Sequence, residues 1–538
     1  MKKYILAAAA AVAMGFGFTG CSDQLDIPQK GVYPTDSYYS TDEEAATALA
    51  LSMADINNMA FEVIESINCL SDDMWPGGAN SGDQPGLHQF SGFYISTEND
   101  KVYNIYSFSY RLIYFSNVLI EALENKEDAT PFMKQCVAEA YFLRGWAEFY
   151  LAALWGNPPV VTHVLQPSEY GDVVNSADGE MMAQAEADFQ KAISIGLPKK
   201  AALGDKSNLA HCTEGAALGY LGKVQLFQKK YAEAATTYDK IINSGVYALY
   251  EGDYENIIKA PSNWSDEGIF EINCPPNQGD VTAVPLMSYV YIYAGWREDY
   301  FDFTTLDQNV WGNFNTTGYG FFNPQGKLVD ALIKSDGIDG YRTTSVVKDQ
   351  KFVEEVMNVA KKPNAPAHGH GLYCGWKNRY EWSDVSMNWG GWSPFPATNF
   401  RYMRYAEVLL RAAEAHLNGG SGGAAKALQY VNEVRRRAKA QEYTSIDMDK
   451  IKLECQVELC MEGQRFMDLV RWGDAYDELK DQGKNIEQLD IDANGKWILT
   501  PDAASNPSYG FQKGRNELLP YPKQEMDQNP NIVQNPGY

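Results

Sequence analysis

The chain has 538 residues and a formal net charge of -25 at pH 7. This acidity excludes a nucleic-acid-binding protein, whose binding face is basic, and disfavours a protein that lies flat on anionic lipid. The length is sufficient for one large core or for two closely packed subdomains.

The first twenty residues have the pattern of a secretion signal. Lys2 and Lys3 precede an apolar, Ala-rich stretch that ends at Phe18, which is too short to span a bilayer. Thr19-Gly20-Cys21 then resembles the lipobox of bacterial lipoproteins, in which the cysteine becomes the acylated first residue. We therefore predict a signal peptide over 1–20, lipidation of Cys21 and a polar tether over 21–40. The alternative is an ordinary secreted protein with an unmodified cysteine.

The rest of the chain lacks the signatures of metal or redox sites. Of the eight cysteines, seven remain after Cys21, and no Cys-x-x-Cys occurs among them, which favours buried thiols. The run from Asp490 to Gly495 imitates the start of a calcium loop, but Pro501 stands where a bidentate Glu is required. We predict a hairpin turn at Asn494-Gly495 instead, and neither a metal nor a cofactor.

Apolar residues recur at helical spacing in several segments. The pattern predicts a helix over 137–154, ended by Gly156, and a pair of helices over 401–415 and from 424, joined by a glycine-rich turn. Residues 216–244 follow the register of the tetratricopeptide repeat, except at Gln225 and Lys229. The sequence therefore predicts a mostly helical protein.

Three irregular stretches separate the helical segments: 72–96, 261–324 and 363–399. They are rich in Gly, Asn, Pro and aromatic residues. Connections of this length tend to be functional or disordered, and the aromatic content argues against disorder. We expect short strands in them, such as 269–272.

Four segments, in this order along the chain, resemble the signatures of the SusD/RagB family of Bacteroidetes outer-membrane lipoproteins. They are EAYFLRGW (139–146) with LWGNPPV (154–160), RYAEVLLRAAEA (404–415), EGQRFMDLVRWG (462–473), and LLP (518–520) with the ending NPGY (535–538). The similarity extends over essentially the whole chain after Cys21.

The resemblance implies a mostly α, SusD-like fold, with a tetratricopeptide-like helical scaffold packed against a loop-rich subdomain with short strands. It implies a single domain over 41–538, with the scaffold at about 41–260 and 400–475, the variable part at about 261–399 and a C-terminal segment over 476–538. We expect the charged motif residues Arg144, Glu407, Arg411 and Arg471 to form internal ion pairs. The resemblance also implies exposure at the cell surface and a SusC-like TonB-dependent transporter as partner.

Family members bind glycans, and some handle peptides. A sugar ring needs a flat aromatic face and several short polar side chains. The Pro/Gly-rich segment around Asp73, Trp75 and Asn80 provides both. The family commonly takes ligand contacts from the loop at this point, so we predict these three residues as glycan contacts.

A second aromatic cluster contains Tyr291, Trp296 and Trp311. Alternating tyrosines at 289, 291 and 293 fit one face of a strand or a core element, and Trp296 and Trp311 lie near positions where glycan-binding members place aromatic platforms. We add Tyr291, Trp296 and Trp311 to the predicted site. We interpret the tryptophans at 376, 382, 389 and 392 as packing or transporter contacts.

These observations favour a non-catalytic surface protein that binds an oligo- or polysaccharide and delivers it to the transporter, with a plant β-glucan or hemicellulose preferred. The acidic residues can supply a carboxylate pair for an enzyme, but no nucleophile, metalloprotease or phosphate-loop motif appears. The alternative is a peptide or glycopeptide receptor of the same transporter system. This prediction requires that the indoles of the predicted site are exposed and stack on sugar rings. Trp75→Ala or Trp296→Ala is therefore expected to abolish glycan binding with little change in Tm.

Overall fold

The computed structural model describes residues 39–200, 211–272, 289–379 except 313, 315 and 317, 385–389, 393–396 and 398–538. The predicted signal peptide, the lipidation site at Cys21 and the tether up to residue 38 lie outside the described residues. They remain predictions.

The first half is a stack of antiparallel helices. Asn99, Thr130 and Thr213 cap three of them, each accepting backbone N–H groups of the first turn through its side chain. The helix predicted over 137–154 is confirmed, and its C-cap is Gly156 at a φ of 77°. The helices are α1 (Asp42–Ala60), α2 (Pro85–Gly92), α3 (Asp100–Leu123), α4 (Pro131–Trp155), α5 (Glu180–Ile195), α6 (Glu214–Phe227) and α7 (Tyr231–Ile242).

The middle of the chain contains short helices between loops. A strand was one interpretation of the alternating tyrosines around Tyr291, and it is wrong: the segment forms a helix. The helices here are α8 (Tyr289–Ala294), α9 (Gln308–Trp311), α10 (Gly326–Asp336) and α11 (Tyr341–Val346).

The irregular segments contain short strands, as predicted, and the structure shows that the strand pairs are antiparallel. The pairs are β1 with β4, β2 with β11, β3 with β6, β5 with β8 and β9 with β10, and β12 lies between β7 and β13. They are β1 (Met74–Gly77), β2 (Gly268–Ile272), β3 (Phe301–Asp302), β4 (Phe321–Pro324), β5 (Val347–Lys348), β6 (Ala360–Lys361), β7 (Ala367–His368), β8 (Cys374–Gly375), β9 (Val385–Trp389), β10 (Ser393–Pro396), β11 (Phe400–Arg404), β12 (Glu487–Ile491) and β13 (Trp497–Pro501).

The last third returns to the helical scaffold. The predicted helix pair forms, as α12 (Tyr405–Asn418) and α13 (Gly423–Arg437). The first helix begins at Tyr405 and not at Arg401, because residues 401–404 belong to β11 and pair with β2. α12 also packs against α7. The hairpin predicted at Asn494-Gly495 is confirmed, because β12 and β13 pair on either side of it. The remaining helices are α14 (Met448–Leu459), α15 (Arg465–Trp472), α16 (Ala475–Leu479) and α17 (Lys523–Gln528).

The charged motif residues lie inside this scaffold, as predicted. Arg144 pairs with Asp188, Arg411 with Asp468, Arg471 with Glu414, and Glu407 with Lys223. These side chains are buried, so they hold the helices together and are not available to a ligand.

Within the described part of the chain, no helix is long and apolar enough to cross a membrane. The described cysteines are buried free thiols, which agrees with the prediction for them.

Candidate functional site

A cleft of about 280 Å³ opens beside β1. Its walls come from β1, from α2 and from the segment 503–509 after β13. Its volume is just below the range of about 300–1,000 Å³ that is usual for ligand pockets. The cleft therefore suits a small ligand or one end of a longer ligand.

Trp75 borders this cleft but is not an exposed platform. Only 5% of its surface is accessible. It lies in β1 opposite Asn323 of β4, and its indole N–H donates a 3.2 Å hydrogen bond to Glu487 of β12. The prediction of an exposed indole at Trp75 is therefore wrong, because strand pairing and this hydrogen bond fix the ring against the protein.

Trp296 is likewise buried, at 4% exposure, so its predicted exposure is wrong as well. Its indole N–H donates to the carbonyl oxygen of Gly375 at 3.1 Å. Its ring packs against Phe314 and Trp376, with centroids 5.0 and 6.0 Å away. The aromatic residues of this loop-rich region form a second hydrophobic core, and Trp376 belongs to it as the packing interpretation predicts.

Trp311 keeps part of its surface in solvent. It ends α9 and meets Phe352 edge to face, with ring centroids 6.0 Å apart. Since Trp75 and Trp296 are buried, the three indoles do not form one flat exposed row. Of the three indoles, Trp311 remains a candidate contact outside the cleft.

The other predicted contacts have different surroundings. Asp73 is buried and accepts a hydrogen bond from Gln456, and burial, followed by the charge of Asp72, raises its pKa to about 7. Because Asp73 is buried and bonded inside the protein, it is not accessible to a ligand, and its prediction as a ligand contact is wrong. Asn80 is exposed and accepts from the Gly82 N–H at 2.8 Å. The side chain of Tyr291 lies outside the described part of the structure.

Three polar side chains form the floor of the cleft: His88, Ser91 and His368. Each is at most 6% exposed. The Nε2 atoms of both histidines and the Oγ atom of Ser91 are buried without a hydrogen-bond partner. Buried polar atoms are normally hydrogen-bonded, because burial removes their hydrogen bonds to water and an unpaired atom has no replacement. These three atoms therefore suit a polar ligand.

The two imidazoles lie beside each other, with ring centroids 5.1 Å apart. The Nδ1 atom of His368 is 2.5 Å from a carboxylate oxygen of Asp502. An ionised carboxylate can only accept, so Nδ1 of His368 carries a proton and donates to Asp502. Burial, followed by the neighbouring His368, lowers the pKa of His88 to about 4. His88 is therefore neutral at pH 7.

An aromatic pair also lines the cleft. The rings of Tyr94 and Tyr509 stack at 4.2 Å with an interplanar angle of 15°, and both are partly exposed. Sequence reasoning missed this pair, because the two residues are far apart along the chain and only the fold brings their rings together. The turn residues Asn506 to Ser508 before Tyr509 are the available signal, since they place a ring on a rigid loop.

The cleft thus combines an aromatic wall with unpaired hydrogen-bonding atoms, which is the combination that a sugar ring requires. Among the described residues, no group of three or more His, Cys, Asp or Glu side chains is placed to hold a metal ion.

Comparisons with known proteins place the chain in a family. The model of the SusD family matches residues 292–538, and a model described as "Starch-binding associating with outer membrane" matches residues 70–226. A SusD-like protein of Bacteroides ovatus is 25% identical over 581 residues, covering 100% of this chain and 98% of that protein. A SusD-like protein of Formosa agariphila is 24% identical, with both chains covered completely.

Solved structures agree in fold. A laminarin-binding SusD-like protein, 25% identical, has a TM-score of 0.74 over 93% of this chain and 100% of its own. Surface glycan-binding protein A from Bacteroides thetaiotaomicron in complex with laminarihexaose, 20% identical, has a TM-score of 0.72 over 92% of this chain and 100% of its own. The described structure is a SusD-like fold, mostly helical, and the chain belongs to the SusD/RagB family.

Proposed function

We propose that this protein binds an oligo- or polysaccharide without cutting it, and that the cleft between β1, α2 and residues 503–509 holds one end or one unit of the chain. The observation that carries the proposal is the unpaired floor of His88, Ser91 and His368 facing the same cleft as the Tyr94–Tyr509 pair. Sugar hydroxyls donate to imidazole nitrogens, and the hydroxyl of Ser91 can donate or accept.

A β-glucan is the preferred ligand class. The support is the similarity to a laminarin-binding protein at 25% identity and a TM-score of 0.74, together with the aromatic wall of the cleft. Trp311 and Asn80, both partly or fully exposed, are candidate contacts for further sugar units outside the cleft.

The signal sequence and family support the remaining parts of the proposal. Acylation of Cys21 would anchor the protein in the outer membrane through more than one acyl chain, which stable anchoring requires. Delivery to a SusC-like TonB-dependent transporter would follow, and anchoring beside the transporter raises the effective concentration of a weakly bound glycan. Palmitate labelling of wild type against Cys21→Ala tests the anchor, and co-purification of the transporter tests the partner.

The test of the binding site uses Ser91→Ala in the mature, unlipidated chain. Calorimetric titration with laminarihexaose is expected to show about a three- to tenfold loss of affinity, since a hydrogen bond is worth about 0.5–1.5 kcal/mol. The Tm is expected to stay unchanged, because Ser91 Oγ makes no internal hydrogen bond.

Ser52→Ala is the matched control. Ser52 is also buried with an unpaired Oγ, but it lies in α1 outside the cleft. Equal glycan affinity of Ser91→Ala and wild type would rule out the cleft as the glycan site. A loss of affinity in Trp311→Ala alone would instead indicate a glycan site at α9. Binding of a peptide pool, with no response to laminarin, xyloglucan or starch, would favour the peptide receptor instead.

A further inference from the structure

A second groove, of about 300 Å³, lies between α3, residues 159–173 and α17. It shares no lining residue with the cleft beside β1. Its aromatic side chains are Tyr106, Tyr110 and Tyr170, and Pro159, Val161, Leu165 and Val173 add apolar surface. The groove is thus separate from the proposed glycan site.

One carboxylate stands in this mostly apolar groove. Glu525 of α17 is partly buried there, and burial raises its pKa. Within the part of the chain that the structure describes, its carboxylate has no hydrogen bond and no ion pair. The adjacent cation in α17, Lys523, pairs with Asp527 at 2.7 Å. Glu525 is therefore left without a counter-charge from its own helix.

Three tyrosines line the groove together with this carboxylate. The rings of Tyr106 and Tyr110 are 4.8 Å apart and tilted by 47°. Tyr106 is 3% exposed and its hydroxyl is buried without a hydrogen-bond partner, whereas Tyr110 donates to the Pro159 carbonyl. Tyr170 is 58% exposed, so its ring is accessible to a ligand in the groove.

Aromatic faces combined with a desolvated carboxylate form an environment that attracts an organic cation, through cation–π contacts and direct charge pairing. The net charge of -25 also attracts cations and repels anions. A neutral sugar could contact the rings and donate a hydroxyl to the carboxylate, but it would leave the negative charge without a counter-charge. The charge of the groove thus favours a cation over a neutral ligand.

We propose that the groove formed by Tyr106, Tyr110, Tyr170 and Glu525 binds a primary ammonium or guanidinium group on an aliphatic stem, as found at the end of a lysine or arginine side chain. The stem packs on Val161, Leu165 and Val173, and the cationic end pairs with Glu525 against the tyrosine rings. The volume accommodates one such side chain rather than a folded surface.

Saturation-transfer NMR on the mature, unlipidated chain tests this site with Nα-acetyl-lysine amide as the probe. Nα-acetyl-norleucine amide keeps the stem and lacks the ammonium group, and it is expected to bind about tenfold more weakly. Glu525→Gln is expected to reduce lysine-probe affinity about tenfold, and Tyr170→Ala severalfold. Both lie at partly or largely exposed positions, so folding is expected to survive.

Glu127→Gln, at an exposed position outside the groove, is the matched control for loss of one negative charge. Equal binding of the lysine and norleucine probes, or unchanged binding in Glu525→Gln, would overturn the proposal. Displacement of the lysine probe by laminarihexaose would overturn it too, by making the groove a sugar site.

Two further probes distinguish a cation on a polypeptide from a free amine. Tighter binding of the peptide Gly-Gly-Lys-Gly-Gly than of butylamine supports a polypeptide partner, and equal binding supports a free amine. Ser91→Ala serves as the cross-check, because it affects only the glycan cleft. The proposals for the groove and for the glycan cleft can thus be contradicted independently of each other.

Discussion

The indole N–H of Trp75 donates a 3.2 Å hydrogen bond to Glu487, 412 residues further along the chain. This bond joins β1 to β12 on one side of the cleft. Burial raises the pKa of Glu487, and the Trp75 hydrogen bond opposes that shift. Trp75 is therefore part of the cleft wall and of the fold at once.

Replacement of Trp75 by alanine is expected to destabilise the protein. Removal of a buried tryptophan leaves a cavity and costs about 3–5 kcal/mol, which reverses the expectation of an unchanged Tm. Trp75→Phe keeps part of the packing, loses the N–H donor to Glu487 and removes one of the two indole rings, so a loss of about 1–3 kcal/mol is expected. Urea unfolding of both variants measures these changes, and a loss below about 1 kcal/mol for Trp75→Ala would contradict the burial of the ring.

Helical periodicity and glycine positions predicted much of the scaffold. The helix ended by Gly156, the α12–α13 pair and the hairpin at Asn494-Gly495 depend on contacts within a few residues, and all three form in the structure. Local pattern decides such elements because their hydrogen bonds and capping groups are close in sequence.

Burial in the irregular segments could not be predicted in this way. Trp75 and Trp296 stand in Gly- and Pro-rich surroundings that resemble an exposed loop, yet their N–H groups bond to Glu487 and to the Gly375 carbonyl. The Tyr94–Tyr509 pair likewise joins distant segments. Composition reports which side chains are present, and long-range strand pairing determines which of them face solvent.

Loss of the partly exposed ring of Tyr509 is expected to weaken glycan binding with little effect on folding. A ring contact that buries apolar sugar surface contributes about 1–2 kcal/mol, so Tyr509→Ala is expected to lower affinity for laminarihexaose about five- to thirtyfold. Tyr476→Ala, at a 44% exposed position outside the cleft, is the control. Calorimetry with unchanged affinity in Tyr509→Ala would exclude stacking on this wall.

The buried charge network around Glu458 contributes more to stability than an exposed ion pair does. Glu458 pairs with Arg342 at 3.0 Å, with Arg404 at 2.9 Å and with Arg437 at 2.5 Å. Although burial opposes ionisation, the charges of Arg437, Arg404 and Arg342 lower the pKa of Glu458 to about 2. The carboxylate is therefore charged throughout the neutral range and holds three guanidinium groups.

Glu458→Gln is expected to lower the free energy of unfolding by about 3–5 kcal/mol, because three buried cations lose their shared partner. Glu442→Gln breaks the exposed pair with Arg436 and is expected to change stability by less than about 1 kcal/mol. Guanidinium is unsuitable here because it screens ion pairs, so urea unfolding is the measurement. Equal effects of the two variants would contradict the role of the network.

Acid is expected to destabilise the protein through His88. Its folded pKa is about 4, below the usual value of about 6.5 for an unfolded histidine. The unfolded chain thus binds more protons than the folded chain between these values, and stability falls as pH decreases through this window. The stabilisation from neutral His88 is fully present above about pH 6.5. Near pH 4 the free energy of unfolding is expected to be lower by an amount on the order of 3 kcal/mol.

The variant His88→Gln separates this effect from other titrations, including that of His370, whose buried ring has its pKa lowered to about 4 as well. Between pH 7 and pH 5 the urea midpoint of wild type is expected to fall more steeply than that of His88→Gln. His163→Gln, at an exposed histidine, is expected to follow wild type. Parallel pH profiles for wild type and His88→Gln would show that His88 titrates normally in the folded protein, and would contradict the desolvation of its imidazole at the cleft floor.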